Sequence, residues 1–205
     1  MQEFLESCEP RIPIKDFNRR GNKRHIDLYR ELTGLKGKAR EIEIYQHPVT
    51  GVARRKAKSA KSIITNDKMK AVLVEVSRTY LNGKTIPNFD IPLHVDHVPL
   101  NLFSNSETVG LGEHPFSAAI RGLEEELHVS RRKLVFRRIQ ETHLVTNDIH
   151  PSKAYAGVES EVESHWYVIN TYQLSPAIMI PTVRDSGVTI NRQWYVEGKP
   201  FAIAA

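Results

Sequence analysis

Between Pro115 and Leu127 the apolar residues Phe116, Ala119, Ile120, Leu123 and Leu127 recur at i, i+3, i+4, i+7 and i+11. At ~100° per residue they collect in one narrow stripe, which predicts an amphipathic helix lying on a core. Pro115 suits the first helical turn, where its missing N–H costs nothing. With the stripe inward, Gly122, Glu125 and Glu126 turn to the opposite and flanking arc. Neither acid has a basic partner four residues on, because Val129 and Ser130 stand there. Uncompensated carboxylates on one helix face suit a hard cation with oxygen ligands, Mg²⁺ or Mn²⁺. A solvated acidic face explains Glu124 to Glu126 equally simply, but not the spacing from Glu113 to Arg121.

Strand signals lie on both sides of this helix. Ala71–Val76 is rich in β-branched residues, and Tyr80-Leu81-Asn82-Gly83-Lys84 carries the Asn-Gly hairpin signal. His94–Phe103, Leu134–Val145, Ser164–Leu174 and Ile190–Val196 read as further strands, the first weakened by Pro99. The order predicts an α+β fold or a layered α/β/α arrangement for residues 69–205. Residues 1–68 read as a basic N-terminal extension. Within it, 1–24 read as an irregular or loosely attached lead. His25–Leu32 is a short helix with Ile26, Tyr29 and Leu32 on one face, ended by Gly34. Arg40–Tyr45 and the chain from Val52 form a hairpin across His47-Pro48-Val49-Thr50-Gly51.

Charge separates the two parts. The net charge is +5, yet residues 1–70 hold 17 Lys/Arg against 9 Asp/Glu and the remainder 12 against 15. The run Arg54-Arg55-Lys56-Ala57-Lys58-Ser59-Ala60-Lys61 is a candidate for gripping phosphates or RNA. It lacks the interleaved aromatics of single-strand binders, and solvated surface accounts for it as well. No apolar run approaches the ~20 residues of a membrane span. No signal peptide is visible, and the single cysteine, Cys8, fits a reducing compartment, so a cytoplasmic location is expected. The nine histidines lack metal-ligand spacing, which argues against zinc. Trp166, Tyr167, Trp194 and Tyr195 read as core rather than as base-stacking platforms.

The segment from Glu107 to Val129 resembles the Nudix box, G-x5-E-x7-R-E-U-x-E-E-x-G-U with U a bulky aliphatic. Glu113, Arg121, Leu123, Glu125, Glu126 and Val129 match, six of nine specified positions. Glu107 stands in place of the first glycine, Gly122 in place of the first helical glutamate and His128 in place of the closing glycine. The resemblance implies a Nudix-like mixed sheet layered with helices. It also implies divalent-metal-dependent hydrolysis of a phosphoanhydride in a nucleoside diphosphate derivative, so that the partner is a diphosphate-containing small molecule. By the same resemblance Glu125 and Glu126 are metal ligands, Arg121 orients a carboxylate, and Glu113 is an accessory ligand or the arginine's partner. Family members often add an acid from a later loop, where Glu159, Glu161 and Glu163 lie, and Glu161 is the expected ligand. An alternating strand edge facing solvent is the other explanation of those three acids.

The departure at 122 leaves two readings open. Either hydrolysis proceeds with two helical ligands and a loop acid, or the domain has lost hydrolysis and binds a nucleotide, RNA or protein partner. Glu124 does not replace the missing acid, since two positions on is a rotation of ~200°. Glycine within a helix costs ~1 kcal/mol relative to alanine, so keeping it points to a close approach there.

Overall fold

The computed structural model describes residues 1–13, 15, 17, 24–34, 40–87, 105–133, 143–152, 154–171, 180–183, 188–196 and 199–200. In chain order the elements are helices α1 (Gln2–Ser7) and α2 (His25–Thr33), then strands β1 (Ile42–Gln46), β2 (Ala53–Asn66), β3 (Ala71–Thr79), β4 (Thr85–Pro87) and β5 (Asn105–Thr108). Helix α3 (Pro115–Leu127) follows, then β6 (Leu144–Pro151), β7 (Glu159–Asn170), β8 (Ile180–Val183), β9 (Thr189–Val196) and β10 (Lys199–Pro200). The chain is α+β, strand-rich with few helices among the described residues. The strand expected at His94–Phe103 lies outside the described residues, as does most of the one expected at Leu134–Val145.

Two compact units form from segments distant in sequence. The first comprises Met1–Ser59, Thr108–Pro115 and Val145–His165. Its core gathers Leu5, Cys8, Ile12, Phe17, Leu28, Ile42, Ala57, Tyr155 and Val158. Of the lead expected to be irregular or loosely attached, the described residues Leu5, Cys8, Ile12 and Phe17 are all buried in this core. Leu5 lies on α1, and Leu5, Cys8 and Ile12 stand at helical spacing, but Pro10 and Pro13 interrupt the run so that it does not read as one helix. Burial of Cys8 pushes its thiol above the usual range. Helix α2 ends as expected at Gly34, in the left-handed region with φ 65°. Its buried residue is Leu28, whereas Tyr29, expected on the packed face, is exposed. The hairpin expected after Arg40 is present, with β1 antiparallel to β2 from Gln46↔Ala53 to Ile42↔Ala57.

The second unit comprises Ala60–Glu107, Phe116–Leu144 and Trp166–Ala205. Here β9 pairs antiparallel with β3, from Ala71↔Val196 to Thr79↔Thr189, with an irregularity between Glu75 and Ser77. On its other edge β3 pairs with the end of β2 through Ile64↔Leu73 and Asn66↔Ala71. The Asn-Gly turn joins β3 to β4, with Gly83 at φ 76°. Trp166, Tyr167, Trp194 and Tyr195 are buried, as expected of core aromatics. Phe116 meets Tyr167 edge to face at 5.3 Å between ring centroids.

Helix α3 forms where its periodicity predicts, burying Ala118, Ala119, Ile120, Gly122, Leu123 and Leu127. Its C-terminus shows what the position of His128 demands. His128 takes a left-handed conformation with φ 54°, and the Val129 N–H closes the helix on the Leu123 carbonyl at 3.2 Å. That position favours glycine, whose lack of a Cβ removes the strain a histidine carries. His128→Gly is expected to stabilise the chain by about 0.5–1 kcal/mol in urea denaturation, the relief being partly offset by the extra freedom of unfolded glycine.

Candidate functional site

The acids of the first unit are tied to bases. On β7, Glu159, Glu161 and Glu163 alternate along one side, and β2, which pairs with β7, offers Arg54, Lys56 and Lys58 at the same two-residue step. Arg54 donates to Glu159 at 2.8 Å, Lys56 stands 4.0 Å from Glu161, and Lys58 lies 2.8 Å from Glu163. Glu161 also accepts a hydrogen bond from the Tyr45 hydroxyl at 2.5 Å. The remaining bases of the run are engaged too. Arg55 lies 3.7 Å from Glu31 and over the Tyr155 ring, and in the second unit Lys61 lies over Trp166. A basic stretch that reads as surface for RNA is thus answered, charge by charge, within the fold.

Lys58, and after it His165, hold the Glu163 carboxyl below the usual carboxylate range. Because that group takes up its proton more readily in the unfolded chain, its contribution to stability is present above the unfolded pKa of about 4.3 and is lost as pH falls through the folded one. Glu163→Gln is expected to flatten the acid limb of a melting-temperature profile below about pH 4.5. An unchanged limb would mean the pair contributes nothing.

Glu113 sits in the turn before α3 and accepts the Gly110 N–H at 2.9 Å. That turn is pinned by Val109 N–H to the Lys58 carbonyl at 3.0 Å and by Leu111 N–H to the Arg40 carbonyl at 2.6 Å. With Glu41, Glu43, Lys56 and Lys58, Glu113 lines a cavity of about 470 Å³ within the first unit.

The second unit holds Arg121, Glu125 and Glu126 in a network, so the carboxylates expected to be uncompensated are not: Arg121, four residues before Glu125, is the carboxylate-orienting arginine expected from the resemblance, and Glu126 has a distant partner. Arg121 reaches Glu107 at 3.2 Å and Glu125 at 3.6 Å. Glu126 is met by Arg192 at 2.6 Å, and Arg192 also donates toward Asn105 Oδ1 at 3.5 Å. The Arg192 side chain is 0% exposed and that of Glu126 13%. Cross-strand from Arg192 on β3 is the buried Glu75, which is paired with Arg78. Arg192, Glu75, Asn105 and Glu107 are the residues that sequence reasoning missed as part of the site. A signal existed for the first: Ile190, Arg192 and Trp194 share one face of β9 and are all buried, so a guanidinium stands where alternation demands an apolar side chain.

Gly122 is buried rather than turned outward, and its cover is specific. A Cβ built there would lie 2.1 Å from Glu107 Cγ and 2.5 Å from Asn105 Nδ2. By helix propensity Gly122→Ala should gain about 1 kcal/mol. It is expected instead to destabilise by about 1–3 kcal/mol, because β5 occupies the space. A double-mutant cycle with Glu107→Gly checks this: the loss at 122 should shrink in that background, and purely additive effects would show that the two residues do not compete for the space.

Among the described residues no group of three His, Cys, Asp or Glu side chains is drawn together closely enough to hold a metal ion. In the second unit the physical reason is on view, since Arg121 stands between Glu107 and Glu125 while Arg192 draws Glu126. The donors still fit a hard cation, being carboxylate oxygens. Glu125 is 59% exposed and Arg121 38% at the side chain, so this pair can separate at little cost. Among the described residues, no helix is long and apolar enough to cross a membrane.

No family model matches this chain, and no curated protein does. Among solved structures it is similar to the crystal structure of a C. elegans Ap4A hydrolase, with TM-score 0.32 and 19% identity over 58% of this chain and 74% of that one. It is similar at the same TM-score to the binary complex of a C. elegans Ap4A hydrolase, with 20% identity over 58% and 72% of the two chains. A likeness at that level carries no weight on what this chain binds.

Proposed function

We propose that this chain is a Nudix-like, divalent-metal-dependent hydrolase of a phosphoanhydride, acting on a nucleoside diphosphate derivative. With the proposal goes a layered α/β/α arrangement of residues 69–205, which carry the box, behind the basic extension 1–68. The observation that carries it is the outer edge of α3. Arg121 and Glu125 stand one turn apart at 3.6 Å, and Glu126 is set beside them on a carboxylate–guanidinium bond of 2.6 Å. The half-buried Glu126 carboxylate, held in that way, keeps its position when a ligand arrives, while the exposed Arg121–Glu125 pair opens at little cost to receive it.

Glu125 and Glu126 are the residues that would hold Mg²⁺ or Mn²⁺. A bound cation would neutralise phosphate charge and lower the pKa of a water. Arg121 steers the Glu125 carboxylate and neutralises it until a ligand is present. Arg192 fixes the Glu126 plane through Oε2, leaving its orientation independent of the ligand. Glu113 is an accessory acid of the turn that precedes the helix. Glu161 is left out of the proposal, because Tyr45 and Lys56 already engage its carboxylate. RNA is left out as well, since the bases of residues 54–61 are matched within the chain.

A binding module without turnover is the second reading, favoured by the two guanidiniums that already neutralise Glu125 and Glu126. One experiment separates the two. The chain is incubated with a panel of nucleoside diphosphate sugars, dinucleoside polyphosphates and nucleoside triphosphates, with Mg²⁺, with Mn²⁺ and with EDTA. The proposal expects release of nucleotide or phosphate that EDTA abolishes. Ligand binding without turnover on every substrate would establish the second reading in its place.

A further inference from the structure

Strand β6 ends the strand order of the sheet, with β7 on one side and no strand on the other among the described residues. It is eight residues long, and seven of the eight are exposed. Side chains of a strand alternate between its faces, so exposure at consecutive positions leaves neither face covered. Val145 is 43% and Ile149 55% exposed. Native sheet edges are commonly blunted by short length, lysine, proline or a covering element. Strand β6 holds no lysine or arginine, and its proline, Pro151, stands at the last position. We infer that this edge is an interface between two copies of the chain, paired antiparallel about a two-fold axis through Asn147. The inference lies in the first unit and does not depend on the metal-dependent reading of α3.

The hairpin end shows which backbone groups point outward. The Ser152 N–H donates to the Val158 carbonyl at 2.8 Å, so Ser152 turns its backbone toward the β7 side. Along an antiparallel strand that direction alternates. Thr146, Asp148 and His150 therefore face β7, and Val145, Asn147, Ile149 and Pro151 face away. Proline fits the outward set, because it lacks the N–H that a ladder position requires. The edge thus presents the N–H and C=O groups of Val145, Asn147 and Ile149 in a row.

Alternating donors and acceptors are a template for another strand, and the side chains decide which strand. Two-fold pairing about Asn147 sets Val145 opposite Ile149 of the second copy, Thr146 opposite Asp148, and Asn147 opposite itself. Every outward N–H and C=O is then used. Apolar meets apolar, amide meets amide, and a hydroxyl stands ready to donate to the carboxylate. Moving the axis to Asp148 keeps the outward groups in register but sets two like charges directly opposite, at the closer spacing of about 4.5 Å. Moving it to Ile149 brings in Pro151, which has no N–H to give. Charge and backbone donors therefore select one self-complementary register, the isologous arrangement of a symmetric dimer. A contact over one strand lies at the low end of specific interfaces, below about 1,200 Å². The dimer is accordingly reversible, with a Kd on the order of 1–100 µM.

Sedimentation equilibrium of the full chain from about 1 to 500 µM tests the inference. A monomer–dimer equilibrium is expected, with the amides of Val145, Asn147 and Ile149 gaining protection from hydrogen exchange as concentration rises. Asn147→Pro deletes the central outward N–H and spares the side bonded to β7. Val145→Lys with Ile149→Lys charges the edge without touching the backbone, and serves should the proline variant not fold. Each is expected to raise the Kd about tenfold or more. Asn147→Cys is expected to form a disulfide-linked dimer under mild oxidation, since Cα atoms of a hydrogen-bonded pair stand about 5.5 Å apart. The natural thiol, Cys8, is buried and does not compete. Monomer mass at every concentration would overturn the interface and leave the edge to solvent or to a strand of another protein. A dimer whose affinity the lysine variant leaves unchanged would overturn it too, by placing the contact elsewhere. Cross-linking through Asp148→Cys but not through Asn147→Cys would overturn the axis.

Discussion

Glu126→Ala is expected to destabilise the chain by about 3–5 kcal/mol, because it removes the carboxylate bonded to a fully buried guanidinium. The Arg192 side chain is fully buried, its bond to Glu126 is 2.6 Å, and its contact with Asn105 Oδ1 is long at 3.5 Å. A carboxamide oxygen does not replace a carboxylate for a charge held away from water. Replacing both members with apolar residues, Arg192→Met with Glu126→Leu, is expected to restore most of the loss, since no buried charge is then left short of its carboxylate. Urea denaturation of the single and double variants measures both. A single-variant loss below about 1 kcal/mol would mean that Arg192 is held by other groups. For the functional question, inactivity of a Glu126 variant is ambiguous, because its fold is compromised along with its site.

Glu125→Gln is the cleaner probe, and it is expected to reduce Mg²⁺-dependent turnover on the order of 10²–10³-fold, comparable to losing one preorganised electrostatic contact in an active site. Stability should hardly change. Glu125 is 59% exposed and its partner Arg121 is 3.6 Å away, an arrangement worth about 0–1 kcal/mol. Turnover per active chain and urea denaturation are to be measured on the same preparation. Equal turnover in the variant would remove Glu125 from the chemistry and with it the proposed role of the α3 edge.

The contrast between these two neighbours shows where sequence reasoning stopped. Both are adjacent acids beyond the apolar stripe of α3, and the pattern separates them only by Arg121, four residues before Glu125, where Glu126 has Gly122. Their difference is made by Arg192, which lies 66 residues on from Glu126. The same holds for the β7 acids. Alternation at 159, 161 and 163 is legible as a strand, and so is the basic run at 54–61. That each supplies the other's counter-ions follows only from β2 pairing with β7. The N-terminal lead repeats the lesson: Leu5, Cys8 and Ile12 stand at helical spacing across Pro10, which a single helix does not span, so their burial with Phe17 is visible only once a core exists to receive them.

Local chemistry in the chain itself determined the amphipathic helix at 115–127, the Asn-Gly turn, the hairpin after Arg40 and the end of α2 at Gly34, because each depends on residues within a few positions of one another. The left-handed strain at His128 belongs to that class in hindsight. Tertiary structure alone decided which charges face which. It set Arg192 on Glu126, the β2 bases on the β7 acids and Glu107 over Gly122, since electrostatic and steric partners are chosen by distance in space and the sequence records only distance along the chain.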